Sequence, residues 1–283
     1  MRIRCIGVLI GFASLCSAFT AEVSNSAPLA DVPAAQLDAF MQKWKAYKSF
    51  EGPRADADLP LLLAALKKDP KGPWAGYIAM KATLAQSEAG RATAEARTNL
   101  FRQTLSYLAP ARAILADALV GDEELQYHHD HLLSIMAKAA LESGSNLGEV
   151  KSAAQEMLAN NTNVKSWNYG NVIYDANTLL GRVALREGNL DAAKKYLVAA
   201  GKTKGSPQLN SFGPSFTLAR ELAEKGERDA VIEFLDLVGL FWANPAERKE
   251  ENARNVATNN QKQLDTWKQQ LRDGKIPADN SWR

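Results

Sequence analysis

The chain has 283 residues, of which 46% are hydrophobic and 23% charged, with 34 Lys and Arg against 32 Asp and Glu. This length is enough for a sizeable core. A net charge of +2 disfavours nucleic acid or an anionic membrane surface as principal partner, because both reward a basic excess.

Residues 1–18 have the parts of a secretory signal peptide. A short basic segment precedes an apolar run that ends at Leu15, and small residues up to Ala18 favour cleavage there. The apolar run is shorter than the roughly 20 residues that span a bilayer, which disfavours a membrane anchor. The sequence therefore predicts a periplasmic or secreted protein, with a flexible leader at 19–33 and no membrane insertion of the mature chain.

Cleavage after residue 18 would also change the composition of the chain. It removes Arg2 and Arg4 but no acidic residue, which leaves 32 basic and 32 acidic side chains. It removes Cys5 and Cys16, the only two cysteines. The mature chain is therefore expected to be neutral, to lack disulfides and to depend on its core for stability.

Residues 34–130 are predicted to form an N-terminal helical region. Between Leu37 and Tyr47, large apolar residues recur at three- and four-residue steps, the spacing of one buried helix face. Asp58 is placed to cap the next, shorter helix. For residues 34–120 the pattern leaves open a helical bundle and a set of irregular repeats. Further helices are predicted over 74–86, over 93–119, where Pro110 would break or kink the helix, and over 122–143.

All three histidines lie in one short stretch, from Tyr127 to His131. On a helix His128 and His131 are about one turn apart, and Glu124 lies one turn before His128. Two imidazoles and a carboxylate on one face could bind zinc, nickel or copper, and an open metal position could activate water. The stretch has no recognised metalloenzyme spacing, so a packed or solvated helix face is the competing interpretation.

Two copies of one helical-hairpin pattern align within residues 131–243. The first copy begins at Leu180 and the second 38 residues later, and Gly188 and Gly226 occupy the same place in each. Glycine there predicts a turn between two helices, because a helix often ends on a residue in the left-handed conformation. A more degenerate third copy has its turn at Gly144.

The hairpin spacing resembles the tetratricopeptide repeat. The chain departs from that family at Asn177, where Trp is expected, and at Ala219, where Gly is expected. The resemblance implies a solenoid of stacked hairpins, in which small residues allow helices to approach closely and whose usual work is to hold a partner. The residues that match the family pattern are Leu180, Gly181, Ala193, Leu197 and Ala200.

A polar connector, Gly205 to Pro214, joins the two copies and lengthens the repeat beyond the usual value of about 34 residues. Its amides and hydroxyls could line a groove that binds a peptide backbone or a sugar. They could equally cap helices and fix turns, with Phe212 filling the core. Upstream, three further polar residues follow one another at three-residue steps and are predicted to share a helix face. The candidate contacts are Asn171, Tyr174, Asn177, Ser206, Gln208, Asn210 and Ser211.

Residues 244–283 are predicted to form a C-terminal helix and tail. Asn244 as cap and Pro245 in the first turn mark the start of a long polar helix. Its first part carries almost no apolar stripe, but a short apolar edge follows. We expect the helix to shield the last hairpin from solvent. The edge residues are Leu264, Trp267 and Leu271.

Residues 167–242 are similar to a group of bacterial exported tetratricopeptide-repeat-like proteins. The resemblance is carried by Asn168-Tyr-Gly-Asn171 and, more specifically, by Gly205-Ser-Pro-Gln-Leu-Asn-Ser-Phe-Gly-Pro214. It implies the fold and the repeat type, and no activity. The chain departs from the group at Tyr174-Asp175, where His is common, and at Ser215-Phe216, where Asn-Met is common, which argues against an identical ligand.

The sequence therefore predicts an all-α, exported, non-catalytic binding or scaffold module. It would recognise a protein or peptide segment through a polar groove of helical repeats, without a cofactor; no serine-hydrolase elbow or phosphate-binding glycine loop is present. The alternative is a metal-dependent hydrolase or metal-binding protein centred on His128 and His131. A glycan is a further candidate ligand of the same groove.

Overall fold

The structure, a computed structural model, describes residues 32–45, 58–89, 92–118, 122–144, 147–278 and 282. The predicted signal peptide and residues 19–31 of the leader lie outside these ranges. The predicted all-α class is confirmed, since the described residues form helices and no strand. None of these helices is both long and apolar enough to cross a membrane. The helices are α1 (Ala34–Trp44), α2 (Leu59–Lys68), α3 (Trp74–Ala89), α4 (Ala94–Ala118), α5 (Glu123–Glu142), α6 (Leu147–Asn160), α7 (Tyr169–Arg186), α8 (Leu190–Gly201), α9 (Pro207–Phe212), α10 (Thr217–Glu224), α11 (Arg228–Trp242) and α12 (Glu251–Arg272).

Three helical hairpins end their first helix on a glycine with positive φ. Gly144, Gly188 and Gly226 have φ values of 72°, 77° and 88° and follow α5, α7 and α10. An L side chain is strained in this conformation, which explains glycine at each turn. The predicted turns at Gly188 and Gly226 are confirmed, and the degenerate copy at Gly144 also forms a hairpin.

The hairpins pack against one another in chain order. First helices contact first helices, as α3 with α5, α5 with α7 and α7 with α10, while α8 contacts α11. Within the α7–α8 hairpin, a Cβ added at Gly181 would lie 3.2 Å from the Cβ of Tyr196 and still closer to Leu218 of α10. Ala193 and Ala200 are fully buried. Small residues therefore stand where helices approach closely, as predicted.

The buried hydrophobic residues that the structure describes, apart from Ala257, form two clusters, which meet at α7 and α8. One runs from Phe40 to Val183 and the other from Tyr174 to Trp282. The predicted boundary between residues 130 and 131 falls inside α5, one continuous helix, and so does not coincide with this division.

Two details of the described N-terminal helices differ from what the sequence suggested: the cap at Asp58 is absent, and the helix is not broken at Pro110. Asp58 precedes α2, but its side chain makes no capping hydrogen bond to the described residues. Asp122 does cap α5, accepting from the backbone N–H groups of Glu124 and Leu125 at 3.0 and 3.1 Å. Pro110 lies within α4 without ending it. Of the predicted first stripe, Tyr47 lies outside the described residues.

The C-terminal helix shields the last hairpin, as predicted. Leu264, Trp267 and Leu271 are all buried, and α12 packs against α11. The predicted start of this helix is wrong. Asn244 caps a short 3-10 turn, Pro245–Glu247, by accepting from Ala246 N–H at 3.1 Å, and α12 begins only at Glu251.

Candidate functional site

The polar connector contains a helix of its own, α9. Ser206 caps it, its Oγ accepting from Leu209 N–H at 3.0 Å, and Pro207 occupies the first turn. A Ser-Pro pair is a recognised helix start, so this element was readable from the sequence. The prediction that Phe212 fills the core is wrong: its side chain is 87% exposed, because Leu209 takes the inward face of this short helix.

Hydrogen bonds fasten the connector to α7. Ser206 Oγ–H donates to Asn171 Oδ1 at 2.6 Å. Asn171 Nδ2 donates in turn to Asn168 Oδ1 at 2.9 Å and to Gln208 Oε1 at 3.0 Å. Gly170 makes this close approach possible, because a Cβ there would collide with the backbone carbonyl of Gly205. The spacing of this block therefore serves to dock α9 on the start of α7.

Two amide donors of this network have no acceptor among the described residues. Asn168 and Gln208 both use their carbonyl oxygens to accept from Asn171. Their Nδ2 and Nε2 groups therefore face away from Asn171, with no acceptor among the described residues. Asn168 is only 6% exposed. Its Nδ2 is nevertheless not one of the fully buried polar atoms that lack a partner, and Gln208 is exposed, so both amide groups are open to solvent and to a ligand.

A cavity of about 180 Å³ opens beside this network. It lies between α5 and α7, with Gln208 of α9 and Met157 of α6 at its edges. We call it the main cavity of this site; larger cavities, of about 310 and 400 Å³, lie beside α11 and α12. Each of the two helices contributes residues at helical spacing, so that one face of each looks into the same space. The lining is Tyr127, Asp130, His131 and Ser134 from α5, and Asn168, Asn171, Val172 and Asp175 at and within α7.

The α5 wall of the main cavity combines two neutral rings with the buried side chain of Asp130. The rings of Tyr127 and His131 are stacked, with centroids 5.8 Å apart and planes 7° apart. Burial, and to a lesser degree the charge of Lys138, lowers the pKa of His131 to about 4. Burial also raises the pKa of Tyr127. At pH 7 this wall therefore presents an uncharged imidazole and a protonated phenol.

The α7 wall carries a carboxylate. Asp175 Oδ2 accepts from Ser134 Oγ at 2.7 Å and from Lys138 Nζ at 3.0 Å. Its Oδ1 has no hydrogen-bond donor among the described residues. The side chain is 29% exposed and lines the main cavity. The cavity thus holds unpaired amide donors at one end and an unpaired carboxylate oxygen at the other.

A second cavity, of about 120 Å³, adjoins the first. Tyr127 and Asn168 line both, so the two cavities are neighbours, and we call the pair the cleft. Trp167 stands at its mouth, 48% exposed, with its ring centroid 4.7 Å from that of Tyr127. Most of the remaining lining is amide, carboxylate or hydroxyl, from Glu123, Gln126, Asn160, Asn161, Thr162, Asn163 and Ser166.

The histidine stretch does not assemble the predicted metal ligands. Within the described ranges, no three His, Cys, Asp or Glu residues come together in a way that could hold a metal ion. His128 and His131 instead lie on Tyr127, with ring centroids 5.1 and 5.8 Å from it. Burial lowers the pKa of His128, and Glu124 only partly opposes this. The cluster supports the α5 wall through ring packing.

Tyr174 and Asn177 lie away from the cleft, contrary to prediction. Tyr174 is buried, and its hydroxyl donates to the carbonyl of Ser215. Asn177 is buried, and its Nδ2 donates to Ile173 O at 2.8 Å. Each residue of a helix advances by about 100°, so two three-residue steps from Asn171 rotate the side chain by roughly 120°. The predicted common face therefore turns into the core.

The end of the connector also lies outside the cleft. Asn210 turns toward Gly205, with its Oδ1 buried and without a hydrogen-bond partner among the described residues. Its backbone carbonyl accepts from Arg248 at 3.4 Å. Ser211 is exposed. Of the seven predicted contacts, Asn171 and Gln208 line the cleft and Ser206 positions them.

Sequence reasoning missed Tyr127, Asn168 and Asp175. The sequence did contain a usable signal. Steps of four and then three residues separate Tyr127, His131 and Ser134. Steps of three and then four residues separate Asn168, Asn171 and Asp175. Each set covers two turns of one helix face. Only the hairpin stack brings the two faces together.

Comparison of the chain with protein-family models, with curated proteins and with solved structures finds no match. The resemblance to exported tetratricopeptide-repeat-like proteins stays a prediction.

Proposed function

We propose that this chain is an exported tetratricopeptide-like module that holds an extended segment of a partner polypeptide in the cleft. The observation that carries the proposal is a pair of accessible amide donors at the cavity wall, on Asn168 and Gln208, for which the described residues supply no acceptor. A peptide backbone presents carbonyl oxygens that such donors satisfy. Binding would complete a network that the protein alone leaves open.

The arrangement of hairpins supports a repeat module. First helices α5, α7 and α10 contact one another in series, and each ends on a glycine turn. In stacked repeats, successive first helices create an elongated surface on which a partner lies. The cleft opens between two of them, and α9 adds Gln208 to its rim.

The proposal is tested by an isosteric double substitution, Asn168→Asp/Gln208→Glu. Both new side chains keep the oxygen that accepts from Asn171, but neither can donate. We first select peptides that bind the parent protein from a random displayed library. These peptides should bind the variant more weakly, by about tenfold or more, because two hydrogen bonds are lost. Circular dichroism and thermal melting would establish that the variant folds.

Asn259→Asp is the matched control, because Asn259 is exposed on α12. It should bind the same peptides as the parent. The two new carboxylates attract basic side chains, so the decisive ligand is a peptide without Lys or Arg, and unchanged binding of that peptide by the double variant would contradict the proposal. Direct binding of soluble oligosaccharides that is lost in the double variant, with no peptide enriched, would assign the cleft to a glycan instead.

A further inference from the structure

The charged residues that line the cleft are all acidic. They are Glu123, Asp130 and Asp175, and none of the described residues lining either cavity is Lys or Arg. Lys138, outside this lining, forms an ion pair with Asp175 Oδ2 at 3.0 Å and offsets part of its charge, but it leaves Oδ1 without a donor among the described residues. A concave surface bounded by charge of one sign concentrates ligands of the opposite sign.

The three carboxylates differ in availability. Asp130 is 1% exposed, and its two oxygens accept from Gln126 at 2.8 Å and from Asn161 at 2.6 Å. Glu123 accepts from Asn163 at 3.1 Å. Asp175 alone faces the main cavity with an oxygen that has no donor among the described residues. It is therefore the group that a cation in the cavity would reach.

The rest of the site accommodates a cation. His131 is uncharged at neutral pH, so its ring next to Asp175 does not repel a positive group. Tyr127 and Trp167 form an aromatic pair where the two cavities join and at the mouth. The face of an aromatic ring attracts ammonium and guanidinium groups.

We propose that the partner segment inserts a Lys or Arg side chain into the main cavity, where its charged end pairs with Asp175 and its stem passes Tyr127 and Trp167. The inference rests on the proposed function, and it identifies the side chain by which the partner segment is anchored. The donors on Asn168 and Gln208 bind the backbone beside the anchor. A sugar hydroxyl could also donate to Asp175, but only a Lys or Arg side chain gains the attraction of opposite charges, which is why a basic peptide is favoured over a glycan.

The test uses peptides enriched by the parent from the random displayed library. We expect them to share a Lys or Arg at one position. Replacing that Lys by norleucine, or that Arg by citrulline, should weaken binding about tenfold or more, because a charge-assisted hydrogen bond is lost. Asp175→Asn should weaken binding of the basic peptide by a similar factor. The variant should then bind the basic peptide and its neutral analogue with equal affinity.

Two further variants supply a control and an alternative to Asp175→Asn. Asp191→Asn removes an exposed carboxylate on α8 and should leave binding unchanged. If Asp175→Asn fails to fold, Trp167→Leu at the exposed mouth should still weaken the basic peptide more than its neutral analogue. Enriched peptides without a common basic residue, or a preference for the basic form that survives Asp175→Asn, would overturn the inference.

These outcomes separate the two proposals. Peptides that lack a basic residue but depend on Asn168 and Gln208 would leave the proposed function standing. The Asn168→Asp/Gln208→Glu variant adds negative charge, which would strengthen binding of a basic segment. A loss of affinity in that variant therefore reports the missing donors.

Discussion

At the scale of single residues, the direction of hydrogen bonds in the cleft follows from one helix cap. Ser206 accepts from Leu209 N–H and donates to Asn171, which directs the Asn171 amide toward Asn168 and Gln208. The donors offered to a ligand are therefore set by the start of α9. A chain of paired polar groups is also stiffer than its members would be alone.

His131 should make stability depend on pH. Its folded-state pKa of about 4 lies below the ordinary value of 6.5, so the unfolded chain binds the proton first as pH falls. Stability is then present above pH 6.5 and is lost toward pH 4, with a slope of at most about 1.4 kcal/mol per pH unit for this group. Urea unfolding at pH 7 and pH 5 should show a smaller loss in His131→Gln than in the parent. Equal losses in the two proteins would show that His131 contributes no such term.

At the scale of elements, the docking of α9 on α7 depends on Gly170. A Cβ there would collide with the carbonyl of Gly205 and lie 2.9 Å from Thr203 Oγ1. Gly170→Ala should therefore destabilise the protein by about 1–3 kcal/mol through overpacking. It should also weaken peptide binding, because Gln208 would shift relative to Asn168.

Gly76→Ala is the control for this prediction. Gly76 lies within α3, and a Cβ there would meet nothing within 4 Å. The substitution should stabilise the protein by up to about 1 kcal/mol, since it restricts the unfolded chain. Chemical denaturation of both variants gives the comparison, and a Gly170→Ala protein as stable as Gly76→Ala would refute the close docking.

Some of these helices and turns could be predicted from the sequence, and others could not. The turns at Gly188 and Gly226 and the apolar edge of α12 were predictable, because a left-handed turn and a repeated apolar spacing leave local signatures. The cleft was only half predictable. Asn171 and Gln208 were marked by an unusual polar block, whereas Asp175 and Tyr127 become neighbours only through packing of α5 against α7.

At the scale of the whole molecule, Arg182 joins three successive hairpins. From α7 it contacts Glu142 of α5 at 2.5 Å and Glu221 of α10, with nitrogen–oxygen distances of 2.8 and 3.0 Å. Burial alone would lower the pKa of Arg182, but the hydrogen bonds and charges of the two glutamates outweigh it and raise the pKa. One buried guanidinium thus couples the first helices on both sides of the cleft-bearing hairpin.

Arg182→Gln should destabilise the protein by about 3 kcal/mol, because it leaves two partly buried carboxylates without their cation. Arg220→Gln, which removes an exposed pair with Glu224, should cost less than about 1 kcal/mol. Unfolding free energies from urea titration measure both. If the two variants were equally stable, the ion pairs of Arg182 would contribute no more to stability than an exposed pair. The hairpins would then be held by their apolar contacts alone.

The most direct test of a peptide-binding cleft is photo-crosslinking from its mouth. The protein would carry benzoylphenylalanine in place of Trp167, or in place of Val256, which is 55% exposed on α12. A biotinylated peptide selected from the library should crosslink strongly from position 167 and not from position 256. Equal crosslinking from both positions, or crosslinking from 256 alone, would contradict binding in the cleft.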